Sequence, residues 1–127
     1  MNPEQVQVAS NEMNEIADCA IRAVAVSTGE DYDKVHALFV SYGRKFRGRS
    51  RWGMELRAVK DLGYDYVEEI VKSKTVLTLE RELMKTRNYI LRVSGHLIGI
   101  NQGKIYDWAQ GRQKRIVRVY WIKGERK

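Results

Sequence analysis

An α+β domain, with N-terminal helices packed on a C-terminal antiparallel sheet, is what the order of hydrophobic patterns along this chain predicts. Up to residue 62 the apolar residues recur at helical spacing between Asp and Gly punctuation. From Asn88 onward they give way to short runs of β-branched and aromatic residues, several of them separated by turn signals. Size and composition set the frame: 127 residues, 43% apolar and 31% charged, with a single Pro, read as one domain over residues 1–127 that buries a core without staples.

Residues 1–15 are polar and weakly patterned and read as an irregular lead-in with room for one turn of helix. From Asp18 to Ser27, Cys19, Ala23 and Val26 fall at helical spacing beside Ala20, Val24 and Ser27, with Asp18 as N-cap and Gly29 as the stop. Small residues on this face let neighbouring elements approach closely, which suits a central helix. Asp31 opens a second helix whose stripe is Tyr32, Val35, His36, Phe39 and Val40, ending at Gly43. A basic loop over 43–53 follows, then a third helix over Met54–Leu62 closed by Gly63. Tyr64–Val71 alternates as a short strand, and Leu79–Lys85 reads as a short helix after Thr78. Tyr89–Val93, His96–Ile100, Lys104–Trp108 and Ile116–Ile122 then form an expected antiparallel meander. No internal repeat is visible.

Net charge is +7 and uneven. Residues 1–35 carry more acid than base, whereas the loop holds five Lys or Arg among residues 44–51, and the C-terminal third is also basic. Such a face attracts nucleic acid or an acidic protein surface, and it is equally the solvated face of a basic protein. So many like charges beside three glycines predict an exposed, mobile loop, with Arg44, Arg47, Arg49 and Arg51 as candidate anion or partner contacts. One cysteine makes no internal disulfide and fits a reducing cytosol. The N-terminus lacks a basic start followed by an apolar run, and no stretch is long enough to cross a bilayer, so a cytoplasmic protein without a membrane is expected. One Cys and two distant His offer no zinc spacing, and no Gly-rich phosphate loop is present, so no metal or cofactor is expected.

The lone Cys19 sits at the start of its helix, where unpaired amides and the positive dipole end favour a thiolate. Far downstream, His96 and Asp107 flank a turn at Asn101-Gln102-Gly103. If that turn holds two or four residues, both side chains project from one sheet face, about 5 Å apart when directly opposed; a three-residue turn separates them. A Cys-His-Asp arrangement follows, in which Cys19 attacks, His96 transfers the proton and Asp107 orients the imidazole. The Cys19 amide is a natural oxyanion donor, and Asn14, preferred to Asn11, is the candidate side-chain donor. Each position also has an ordinary reading: a packing cysteine, a turn or edge histidine, and a turn-capping aspartate before Gly111.

At these residues the chain resembles a group of small phage and bacterial proteins with a papain-like cysteine-peptidase fold. The shared pattern appears here as Asp18-Cys19-Ala20-Ile21-Arg22-Ala23, Thr28-Gly29-Glu30-Asp31-Tyr32, Gly95-His96-Leu97 and Ile105-Tyr106-Asp107. It spans most of residues 14–122, and more distantly the chain is similar to bacteriocin-processing peptidases. The resemblance implies a papain-like fold with Cys19 as nucleophile, His96 as base and Asp107 as orienting acid. The Gln that papain-like enzymes usually carry several residues before the Cys has no counterpart, that neighbourhood holding Asn11, Asn14 and Glu15.

The expectation is a small intracellular thiol hydrolase acting on an amide or acyl bond of a protein or peptide, a host protein where the chain is phage-encoded. An inert papain-like scaffold that binds a host protein or nucleic acid through its basic surfaces is the alternative. A dedicated nucleic-acid binder using Arg44, Arg47, Arg49, Arg51, Trp52 and Tyr42 has weaker support, because no nucleic-acid motif is present.

Overall fold

The computed structural model describes residues 2–104 and 115–124. The N-terminal segment departs from the irregular lead-in expected over 1–15, for Pro3–Glu12 form a helix, α1. The reason is local. The Asn2 side chain accepts from the Gln5 amide at 2.8 Å and the Gln5 side chain returns a bond to the Asn2 amide at 2.9 Å, a capping box with proline at the first helical position. Val6 and Ala9 are buried and hold this otherwise polar helix against its neighbours.

Helices α2 (Cys19–Thr28), α3 (Tyr32–Ser41) and α4 (Met54–Asp61) lie close to their expected bounds. Gly29 stops α2 in the left-handed conformation, φ 76°, as its lack of a Cβ permits. Asp18 does not cap α2 with its side chain; its carboxylate turns inward instead. In α3, Tyr32, Val35, His36 and Phe39 are buried, while Val40 is half exposed and leaves the expected stripe. Glu55 of α4 reaches back to the Gly53 amide with both oxygens, each at 3.1 Å. Burial pushes its carboxyl above the usual range despite that bond and the nearby Arg92.

Strand β1 (Asp65–Glu69) is followed by α5 (Val76–Glu82), β2 (Asn88–Val93), β3 (His96–Asn101) and β4 (Ile116–Lys123). Helix α5 starts earlier than the expected Leu79, because the Thr75 side chain accepts from the Thr78 amide and caps it. The sheet is antiparallel in the order β1-β4-β2-β3. Among the described residues it is therefore not a meander: β4 returns across the β2–β3 hairpin to lie between β1 and β2. A two-residue turn, Gln102-Gly103, with φ 49° and 79°, closes an Asn101–Lys104 bridge after β3.

Two apolar layers flank the sheet. On one side Ile90, Leu97, Tyr120 and Ile122 pack under α1 to α4. On the other, Tyr89, Leu91, Val93, Ile98, Ile100 and Val119 pack against Val76 and Leu79 of α5. Strand β2 feeds both layers, which explains why its sequence is a near-continuous apolar run.

Candidate active site

The site is built where α2 lies along β3. A Cβ at Gly99 would stand 2.5 Å from the Ala23 carbonyl oxygen and 2.9 Å from the Val26 Cβ, so only glycine allows the helix backbone to come this close to the strand. Farther along, the Asn101 side-chain amide donates to the Val26 carbonyl at 2.9 Å. Helix and strand thus run in the same direction, and their first residues, Cys19 and His96, meet at one end.

His96 follows the Ser94-Gly95 turn, pairs with Val93 in the hairpin and is buried. Its side chain hydrogen-bonds the Cys19 sulfur, and the Leu97 amide donates to the same atom. Partial burial raises the thiol, but the His96 hydrogen bond, the Leu97 amide and the nearby charges of His96 and Arg22 outweigh it. The net effect holds Cys19 below its ordinary value. The sulfur is half-buried at the edge of a cleft of about 360 Å³ bordered by Arg22, Arg49, Ser50, Arg51 and Trp52. The Ser50 hydroxyl is buried and has no hydrogen-bond partner among the described residues.

Asp18, beside the thiol, anchors the start of α2 to two other helices. One of its oxygens accepts from Ser10 of α1 at 2.6 Å and from Tyr32 of α3 at 2.7 Å, and the other accepts from Arg22 at 3.2 Å. Burial and this bond raise the Tyr32 phenol. Arg22 in turn donates to Gln7 of α1 at 3.1 Å, so α1 braces the site.

The structure brings Cys19 and His96 together. Asp107 lies outside the described residues. Asn14 is exposed in a left-handed turn, φ 54°, and is not among the described residues lining the cleft, which leaves its expected oxyanion role without support.

The basic loop divides. Arg47, Arg49 and Arg51 are exposed, but Arg44 is buried and cannot take an external anion. Its guanidinium forks onto Glu15 at 2.9 and 3.1 Å, while His36 meets the same carboxylate at 2.5 Å and the Arg47 amide donates to it at 3.0 Å. The expectation for Arg44 failed because like-charge density says nothing of an acid 29 positions earlier in the chain. The same bonds tie the start of the loop down. Ser50 and the Leu97 amide carry no signal in the sequence as parts of the site, since a backbone donor has no residue signature, while Trp52, expected only as a nucleic-acid contact, borders the thiol cleft.

Among the described residues no group of three or more His, Cys, Asp or Glu is gathered as a metal site would require, and no helix is long and apolar enough to cross a membrane. Comparison with protein-family models, curated proteins and solved structures finds no significant match to the chain.

Proposed function

We propose that this protein is a papain-like thiol hydrolase acting on an amide or acyl bond of a protein or peptide. One observation carries the reading: the only cysteine of the chain opens a helix, bordering a cleft, with its sulfur hydrogen-bonded to His96. In the proposed reaction the Cys19 thiolate forms a bond to the carbonyl carbon. The oxyanion that develops faces the unpaired first-turn amides of α2, beginning with that of Cys19, and the Ser50 hydroxyl takes the side-chain role expected of Asn14. His96 gives its proton to the leaving nitrogen as the C–N bond breaks. Water then attacks the thioester, passing a proton to His96, and the acid leaves as the sulfur is restored. Asp107 is the proposed orienting acid, supported by the resemblance to papain-like proteins.

The test is alkylation of Cys19 by iodoacetamide, followed by mass spectrometry across pH. A rate whose pH midpoint lies below that of a cysteine in a model peptide, moving upward in His96→Ala, supports the reading. Alkylation no faster than the peptide, and indifferent to His96→Ala, overturns it and leaves Cys19 as a packing residue.

A further inference from the structure

Next to the thiol cleft, and sharing Arg49, Arg51 and Trp52 with it, lies a second cavity of about 650 Å³ between the 43–53 loop and α4. Its rim is cationic. Lys45, Arg49 and Arg51 are exposed and have no acidic partner among the described residues, whereas Arg57 on the same rim is stacked on Tyr42 and held near Asp61. Trp52 stands at the junction of the two cavities, half exposed, with the Arg92 guanidinium 4.1 Å from its ring centre. That contact fixes a flat aromatic wall against which an extended chain can lie.

Resting on the thiol-hydrolase reading, we infer that this cavity is a substrate subsite for an acidic peptide segment adjoining the bond that Cys19 attacks. Three cations without an acidic partner among the described residues line one open cavity, which makes it complementary to an anionic occupant, and continuity with the thiol cleft puts that occupant on the molecule whose carbonyl is attacked. Carboxylates on a peptide satisfy both conditions, since a peptide carries the acidic groups and the amide on one backbone. A cavity of this volume is of the order that encloses a few side chains. A nucleic acid offers phosphates but no amide, and it favours a long basic track over a pocket.

The test is fluorescence anisotropy of a labelled Glu-rich decapeptide, a Ser-Gly decapeptide and a single-stranded decanucleotide, with Cys19→Ala used to prevent turnover. The Glu-rich peptide is expected to bind, to weaken about tenfold in Arg49→Gln/Arg51→Gln and to weaken less than twofold in Arg47→Gln. Arg47 is the matched control, exposed on the same loop but outside the cavity rim. No binding of the Glu-rich peptide, tighter binding of the oligonucleotide, or equal losses in Arg47→Gln and the double variant each overturn the inference. The alkylation experiment fails separately: ordinary Cys19 reactivity with tight, Arg49- and Arg51-dependent peptide binding removes the hydrolase and leaves an acidic-peptide site. Enhanced reactivity without peptide binding removes only the subsite.

Discussion

Glu15 shows how one residue decides what a charged segment can do. Its side chain is fully buried, which by itself raises the carboxyl, but the bonds from Arg44 and His36, the Arg44 charge and the Arg47 amide bring it down to about 2. The folded value lies below the unfolded one, so the unfolded chain takes up the proton first. The contribution is therefore complete above an unfolded value near 4.5 and is lost as pH falls from there toward 2. A depression of this size corresponds to roughly 3 kcal/mol. Urea denaturation between pH 6 and pH 2 is expected to show that loss in the wild type and a much flatter acid limb in Glu15→Gln. An equally steep limb in the variant assigns the acid sensitivity to other carboxylates. Arg44→Ala at neutral pH is expected to destabilise the fold by about 3–5 kcal/mol, since it leaves a buried carboxylate without its main counter-charge. Thermal and urea midpoints near wild type contradict that expectation.

At the scale of elements, the α2–β3 contact positions Cys19 beside His96. Gly99→Ala forces its methyl against the Ala23 carbonyl, an overlap that a backbone atom relieves only by moving the helix. The expected cost is about 1–3 kcal/mol. Because α2 carries Cys19 and β3 carries His96, the alkylation midpoint should also shift upward as the pair separates. Wild-type stability and reactivity in Gly99→Ala would show that the helix seats elsewhere on the strand. The elements themselves were largely legible, because α2, α3, β2 and β3 combine a clear period with Gly or turn signals at their ends. Helix α1 was missed because its apolar stripe is reduced to Val6 and Ala9, although Asn2, Pro3 and Gln5 carried a readable cap. The Cys19–His96 pairing was legible through chemistry, since a thiol at a helix start and a late histidine make one arrangement. The strand order was not, because the pairing of β4 with β2 depends on contacts distant in sequence rather than on any local pattern.

For the whole molecule, the sheet separates two cores with different duties. The layer under α1 to α4 contains Ile21, two positions beyond Cys19, and supports the site directly. The layer closed by α5 contains Leu79 and lies on the other side of the sheet. Both side chains are fully buried, so Ile21→Ala and Leu79→Ala should each cost about 2–5 kcal/mol, read from urea midpoints. Their effects on Cys19 should differ. A cavity at Ile21 loosens the first turns of α2 and should shift the alkylation midpoint upward, whereas a cavity at Leu79 should leave it in place under conditions where the variant is folded. The double variant should lose close to the sum of the two stabilities, as sites without shared partners do. If Leu79→Ala moves the Cys19 midpoint as far as Ile21→Ala does, the sheet transmits strain between its faces. The thiol's reactivity then depends on α5 as much as on the helix that carries it.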